Sequence, residues 1–275
     1  MTLSEMRTVL ADRGIQLTKS LGQNFLHDGN QLDRIVRLAD IRAGEPVLEI
    51  GPGLGPLTER LLAAGARVHA VELDDRLVPI LRSRFEAHPH FQLTHGDGLA
   101  FVRDADIEWS EWKLVSNLPY SVGSPILVEL ALKDRPPKDL VATLQWEVVQ
   151  RLAAAPSTKD YGVLTLLVAQ AYASAGQFKI PPGCFFPPPN IDSGCIHLRR
   201  REPPLFRGSD RQRFAKLVKH AFSQRRKIMS KLLKAAWPAE RVDAAMRACG
   251  LAPTARAEEL GLDQFVRLAE HLSHE

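Results

Sequence analysis

The sequence predicts an α/β fold: a mostly parallel sheet with helices on both faces, joined to a small all-helical C-terminal domain. Three observations predict it. Short β-rich runs alternate with helical patterns over the first 200 residues. Glycine or Asn-Pro turns close several of those runs abruptly. The alternation stops at Arg199-Arg-Arg-Glu-Pro-Pro204, and beyond it only helical periodicity remains. Alternating β and α segments bury their apolar faces most simply as a parallel sheet between helix layers.

The elements follow in order. Pro46–Ile50 reads as a buried strand ending at a glycine-rich turn, and Leu57–Ala64 as a helix stopped by Gly65. Arg67–Leu73 is the next strand and Arg76–Ala87 the next helix. Phe91–Thr94 and Lys113–Ser116 are strands that stop at Gly96-Asp97-Gly98 and Asn117-Leu-Pro-Tyr120, and Ile126–Leu132 is helical. Leu140–Trp146 and Val163–Ala171 read as further strands. After the joint, Phe214, Leu217, Val218 and Phe222 share one helix face, and Ile228, Leu232 and Leu233 another. This divides the chain into residues 1–202, a ligand-binding catalytic domain, and 203–275, a helical domain.

Charge is unevenly placed. Residues 199–234 hold thirteen Lys/Arg against Glu202 and Asp210, a local net of +11 in a chain of net +4. Such a block fits either a solvated helical face or a polyanion partner. Cys184, Cys195 and Cys249 are far apart, and the histidines lack ligand spacing, so no metal site is expected. No run approaches the roughly 18–20 apolar residues of a membrane helix, and the N-terminus carries Glu5 and Asp12 without a signal-type apolar core. A cytoplasmic protein with no membrane association is expected. Nothing demands a dimer, and a monomer is expected.

Leu48-Glu-Ile-Gly-Pro-Gly-Leu-Gly55 is the strongest ligand signal. A glycine turn directly after a strand lets a ligand approach bare backbone. A dinucleotide site expects G-x-G-x-x-G. Here Gly51 and Gly53 are followed by Gly55, and Pro56 stands where the third dinucleotide glycine belongs. Pro52 removes an N–H that a phosphate cradle would use. The pattern favours a ligand without phosphate, such as S-adenosylmethionine. Glu72 lies 21 residues after Gly51, where a carboxylate can accept from ribose hydroxyls. Asp97, after the third strand of the order, can accept from an adenine amine. Singly, Glu72 is also compatible with a salt-bridge partner and Asp97 with a helix N-cap. Together they mark the carboxyl edge of the sheet, where open parallel sheets bind ligands.

Asn117-Leu118-Pro119-Tyr120 falls on that same edge. An aromatic amine is a poor nucleophile because its lone pair is delocalised into the ring. The Asn117 side-chain oxygen and the Leu118 carbonyl can take its two N–H bonds, Pro119 stiffens the turn, and Tyr120 offers a stacking face. Phe185 and Phe186, before Pro187-Pro-Pro, are candidates for a second aromatic surface or for core plugs at a domain joint.

On these residues the chain resembles the small-subunit ribosomal RNA adenine dimethyltransferase family. The match also takes in Gly22-Gln-Asn-Phe-Leu26, Lys159-Asp-Tyr-Gly162, Phe185-Phe-Pro-Pro-Pro189 and Ala221-Phe-Ser-Gln-Arg-Arg-Lys227. The resemblance implies a seven-stranded, Rossmann-like S-adenosylmethionine-dependent methyltransferase sheet with a helical C-terminal domain. It implies two methylations on each of two adjacent adenosines near the 3′ end of small-subunit (16S) rRNA, with the small ribosomal subunit as partner. By that analogy Asn24 and Leu26 join Gly51, Glu72, Asp97 and Asn117 around the cofactor, and Phe185 stacks on the target base. Arg225, Arg226 and Lys227, after a helix bearing Arg211, Arg213, Lys216 and Lys219, are taken as a phosphate-contacting surface. Family members usually carry other residues at Ser121-Val122-Gly123, Trp146, Val163, Asn190 and Ile228-Met-Ser230. A large-subunit enzyme of the resistance type more often has Ile where Leu118 stands, and a DNA adenine methyltransferase Pro. An assembly factor with little turnover is the remaining rival.

Overall fold

A computed structural model describes residues 1–17, 23–224 and 227–273. The family's Gly22 and the cluster residues Arg225 and Arg226 lie outside the described residues. The chain forms two compact units. The first comprises Met1–Val149 and Ser174–Arg200, and the second Gln150–Ala173 and Arg201–Glu275. The sequence suggests one cut near residue 202. In the structure the chain enters the second unit at Gln150, returns at Ser174 and leaves again after Arg200.

The first unit begins with α1 (Leu3–Asp12), β1 (Phe25–Leu26) and α2 (Gly29–Ala39). There follow β2 (Pro46–Ile50), α3 (Pro56–Ala63), β3 (Arg67–Glu72), α4 (Val78–Phe85), β4 (Phe91–His95), α5 (Gly98–Asp104), β5 (Lys113–Asn117), α6 (Gly123–Leu132), β6 (Asp139–Gln145) and α7 (Trp146–Leu152). After α8 (Val163–Ala169) come β7 (Tyr172–Ile180), β8 (Phe185–Phe186) and β9 (Ser193–Arg200). The seven-stranded sheet has the order β4-β3-β2-β5-β6-β9-β7. Strands β4 to β6 are mutually parallel, and β9 pairs antiparallel with β6. Central strands of such a sheet are covered on both faces, which accounts for the unbroken burial of Val47–Ile50 and Leu140–Leu144.

The strand order places the site. The chain runs outward from β2 through β3 to β4, then returns to lay β5 on the other flank of β2. The reversal falls between β2 and β5, and ligands bind outside the carboxyl ends of strands at such a switch point. Those two ends carry the glycine turn and Asn117. The Ser116 hydroxyl donates to the Ile50 carbonyl at 2.6 Å and locks them side by side.

The opposite edge is held by charge. Lys113 Nζ, almost fully buried, donates to the carbonyls of Ala39 (2.9 Å) and Asp40 (2.8 Å) and pairs with Glu45 at 3.0 Å. The lysine thereby satisfies the carbonyls at the end of α2 with the first residue of β5. Asp139, 3.8 Å away, meets His197 Nε2 at 2.6 Å across the β6–β9 pair. Burial alone would raise the Asp139 carboxyl. The His197 hydrogen bond, with Lys113 and Arg199 nearby, holds it below the ordinary carboxylate range.

In the second unit, Val163–Ala169 is the helix α8 rather than a strand. A short run of continuous apolar residues is equally apt for a buried strand or a buried helix, and periodicity cannot separate them. Thr165 decides locally: its hydroxyl donates to the Arg151 carbonyl and accepts from Gly162 N, starting a turn. Helices α9 (Asp210–Ala221), α10 (Met229–Leu233), α11 (Ala239–Ala248) and α12 (Leu262–Ser273) complete this unit around Phe214, Val218, Met229, Leu233, Val242, Phe265 and Leu268. Tyr161 donates to the Leu260 carbonyl at 2.7 Å, and burial pushes its hydroxyl up to about 12. No described helix is long and apolar enough to cross a membrane.

Replacing Lys113 by Met leaves two carbonyls and Glu45 without their cation. We expect a lower urea midpoint and a loss of about 3 kcal/mol in unfolding free energy, followed by circular dichroism. An unchanged midpoint would remove this network from the account of stability.

Candidate active site

The glycine turn is built so that nothing covers its backbone. Gly51 has φ +67° and Gly53 φ +62°, in the left-handed region that side chains avoid. A methyl group on Gly51 would lie 3.1 Å from Pro119 Cγ, and one on Gly53 would lie 2.6 Å from the Phe25 ring. The turn therefore packs directly against Asn117-Leu-Pro-Tyr120 on one side and the Phe25 segment on the other. Between them opens a concave cavity at the carboxyl edge of the sheet. Gln23, Asn24, Gly51, Gly53, Glu72, Asp74, Asp97, Asn117, Leu118, Pro119 and Tyr120 are among the residues that line it.

Glu72 ends β3 with its carboxylate fixed from both sides. Oε2 accepts from Gly53 N at 3.1 Å, and Oε1 from Asp74 N at 2.8 Å. Burial raises its pKa, and those two N–H bonds oppose the rise. The salt-bridge reading of Glu72 does not hold, since its partners are backbone amides. Asp97 caps α5, Oδ1 accepting from Ala100 N at 2.8 Å, so its N-cap role is real. It is exposed and lines the cavity as well. Both roles fit one carboxylate, because capping uses one oxygen.

Asn117 supplies an acceptor with no protein partner. Its Nδ2 donates to the Asn24 carbonyl at 3.0 Å, while Oδ1 is buried and makes no hydrogen bond. Native proteins seldom leave a buried side-chain oxygen unpaired. Next to it, no described N–H reaches the Leu118 carbonyl, whereas Pro119 O accepts from Val122 N and Gly123 N. Consecutive residues of this turn thus carry two acceptors without a partner among the described residues. The Tyr120 hydroxyl lies 2.5 Å from Ser193 Oγ, which fixes the ring, and burial raises its pKa.

The charge of the lining defines the ligand. Three carboxylates, Glu72, Asp74 and Asp97, line the cavity, and among the described residues no Lys or Arg does. A phosphate-bearing cofactor would meet repulsion there. A cationic ligand with hydroxyls and an amine would find acceptors, and S-adenosylmethionine fits that description.

Two predicted residues are buried in the core. Leu26 is buried in β1, and Phe185 in β8 is only 2% exposed; the two are paired in the two-stranded sheet. They pack into one core with Leu32, Ile35, Phe178 and Ile180. Alternation along the strand turns Phe186 the other way, against Met6, Leu10 and Phe25. Phe185 is thus a core plug and not a free stacking surface, whereas Leu26 also lines a small cavity together with Phe25, Gly51, Pro52 and Asn117. The residues that sequence reasoning passed over are Gln23 and Asp74. Gln23 Nε2 donates to Asp74 Oδ2 at 2.6 Å, and Arg76 pairs with Asp74 at 2.7 Å, holding its carboxyl below the ordinary range. Their signal was the second acid of Glu72-Leu-Asp74, two residues on and so on the same face of an extended chain.

Comparison with known proteins agrees with this geometry. Residues 14–274 match the family model described as ribosomal RNA adenine dimethylase. The chain belongs to the ribosomal RNA adenine dimethylase family. It is 41% identical to ribosomal RNA small subunit methyltransferase A of Geobacter metallireducens, over 93% of this chain and 95% of that one. It is 40% identical to the protein of the same name from Pseudomonas putida, over 93% and 94%. Among solved structures it is similar to the 23S rRNA methyltransferase ErmE, with a TM-score of 0.67 and 30% identity over 91% of this chain and 100% of that one. A dimethyladenosine transferase from Plasmodium falciparum shares the fold, with a TM-score of 0.75 and 22% identity over 89% and 95%. The chain is accordingly an S-adenosylmethionine-dependent rRNA adenine dimethyltransferase, and Gly51, Gly53, Glu72, Asp97 and Asn117 are among the residues that line its cavity.

Beneath the glycine turn, Glu49 is buried without a cation and accepts from the Thr58 hydroxyl at 2.6 Å. Burial pushes its carboxyl up to about 8, and Glu72 adds to the rise. Because the folded pKa exceeds the ordinary 4.5, the folded state holds the extra proton between these values. Stability should therefore fall as pH rises from about 4.5 to about 8. Glu49→Gln should flatten that fall by a few kcal/mol in ligand-free protein. Chemical denaturation at pH 5, 6.5 and 8 checks this; parallel curves for the two proteins would contradict it.

Proposed function

We propose that the protein transfers two methyl groups to the N6 amine of each of two adjacent adenosines near the 3′ end of small-subunit (16S) rRNA, during small-subunit biogenesis. The observation that carries this reading is the unpaired Asn117 oxygen beside the free Leu118 carbonyl. Two acceptors on one rigid turn match the two N–H bonds of an adenine amine. Holding both N–H bonds favours a pyramidal nitrogen and aims its lone pair. S-adenosylmethionine supplies an electrophilic methyl on a sulfonium centre.

The chain's own contribution is position and electrostatics. Glu72 and Asp97 hold the nucleoside part of the cofactor, and the bare backbone of Gly51 and Gly53 admits it closely. Asn117 and Leu118 fix the acceptor amine, and the Tyr120 ring, braced by Ser193, supports the base by stacking. Positioning and charge complementarity of this kind account for most of the catalysis in direct group transfer. The alkylated nitrogen is acidic, so its proton leaves without a strong base. The target adenosine must first leave its stack.

The helical C-terminal region, residues 203–275, would hold RNA by its backbone. Lys227 is exposed, as are Arg213, Lys216 and Lys219 on α9, whereas Arg211 is buried and its guanidinium donates to the Phe206 carbonyl. Arg225 and Arg226 complete the cluster in this reading. A small-subunit target is favoured over a large-subunit one by Leu118 in the catalytic turn and by relatives near 40% identity that are named for the small subunit. With a ribosomal partner the protein would act in the cytoplasm, and as a monomer.

The test is incubation with labelled S-adenosylmethionine and undermethylated small subunits, beside large-subunit RNA and duplex DNA, with mapping of the modified bases. The reading predicts dimethyladenosine near the 3′ end of small-subunit RNA. Asn117→Ala should slow transfer by about 100- to 1000-fold, with a much smaller change in cofactor affinity. Label in large-subunit RNA alone would reassign the substrate, and subunit binding without transfer would leave an assembly factor.

A further inference from the structure

A second concave site lies wholly within the helical unit. Arg213, Lys216 and Leu217 of α9, Trp237 and Arg241 at the start of α11, and Ala269 and Leu272 of α12 line a groove of about 740 Å³. Its lining combines three apolar side chains, the Trp237 indole and three cations, with no carboxylate among the described lining residues. The catalytic reading uses none of Leu217, Trp237, Arg241, Ala269 or Leu272.

Two features mark this groove as more than a solvated basic face. The Arg241 Nη2 is buried and has no hydrogen-bond partner. The Arg241 side chain as a whole is half-buried and lines the groove, so its guanidinium can turn to meet an anionic oxygen. Trp237 is half-buried and stands under charge: Lys216 Nζ lies 5.5 Å from its ring centroid, and His220 meets it edge-on at 5.4 Å. Lys216 is exposed and long, so it can yield the ring face while its ammonium turns to a phosphate. Arg213 is held only by an exposed pair with Asp210 at 3.2 Å, a contact of little worth.

We propose that this groove binds one unpaired nucleotide of RNA, its base stacked on Trp237 and its phosphate held by Arg213, Lys216 and Arg241. The proposal rests on the reading of the protein as an RNA methyltransferase and adds a recognition site outside the cavity. An aromatic face rimmed by cations suits single-stranded RNA, where splayed bases stack on side chains and the backbone meets Lys and Arg. Duplex RNA keeps its bases stacked and offers nothing to the indole. An acidic peptide would use the cations and leave the ring idle.

The test uses the full chain and a fluorescent ten-residue oligouridylate, chosen because the catalytic cavity is expected to take adenine. Anisotropy titrations at several salt concentrations compare the wild type with Trp237→Leu, Trp237→Phe, Arg241→Gln and Lys216→Gln. Trp237→Leu should weaken binding by about tenfold, and Trp237→Phe, which keeps an aromatic face, should recover most of it. Arg241→Gln and Lys216→Gln should each lower the salt slope by roughly 0.7. Wild-type affinity in Trp237→Leu, or equal loss in the Leu and Phe variants, overturns the stacking site. Equal displacement by a polyaspartate peptide of the same length overturns base recognition. Methyl transfer to small subunits, measured in parallel, separates the two readings. Normal transfer with an unaffected Trp237→Leu sinks this inference alone, and a wild type that labels no RNA sinks the catalytic one.

Discussion

The Asn117 amide carries a constraint on which the rest of the site depends. One end of it is used: Nδ2 donates to the Asn24 carbonyl and so ties the catalytic turn to the segment before β1. That bond fixes which way the amide faces and leaves Oδ1 as a buried acceptor. A side chain that must be oriented before substrate arrives is positioned most cheaply by a bond that does not involve substrate. The Leu118 carbonyl follows from the same turn, because Pro119 restricts the backbone and its own carbonyl is consumed by Val122 and Gly123.

Everything beneath that amide serves to bring it beside the glycine turn. The reversal of strand order sets the ends of β2 and β5 next to one another, and the Ser116–Ile50 bond holds them in place. At the far edge Lys113 anchors the beginning of β5 to the end of α2. The strand that delivers Asn117 is thus gripped at both ends. Electrostatics then selects the ligand. Glu72, Asp74 and Asp97 line the cavity with no basic side chain among the described residues, so this lining favours a cationic partner and disfavours phosphate. The helical unit has the opposite character, with Trp237 among cations, as binding of a polyanion requires.

Legibility in the sequence followed the physics of each feature. Features set by backbone geometry were readable: Gly51 and Gly53 form a bare left-handed turn, Glu72 and Asn117 end strands of the parallel sheet, and Asp97 falls just beyond a third. Residues whose role depends on distant packing were not. Phe185 has the identity of a site residue, but the β1–β8 pairing turns it into the core, and no local pattern reports that pairing. Val163–Ala169 carries too few residues and too little polarity for its period to show. Strands β7 and β9 were missed because Ser174 and Gly176 interrupt the first, and Ser193-Gly-Cys-Ile-His197 mixes polar and apolar residues without alternation. The passage of Gln150–Ala173 into the second unit has no sequence marker, since its anchor, Tyr161 to the Leu260 carbonyl, spans 99 residues.

The central claim is that Asn117 Oδ1 is the acceptor that the substrate amine completes. A crystal structure of the protein with S-adenosylhomocysteine and an adenosine-containing oligoribonucleotide measures this most directly. The account predicts Oδ1 within hydrogen-bond distance of adenine N6, with Nδ2 still on the Asn24 carbonyl. An amide rotated so that Nδ2 faces the base, or an N6 held by other acceptors while Oδ1 stays unpaired, would contradict it.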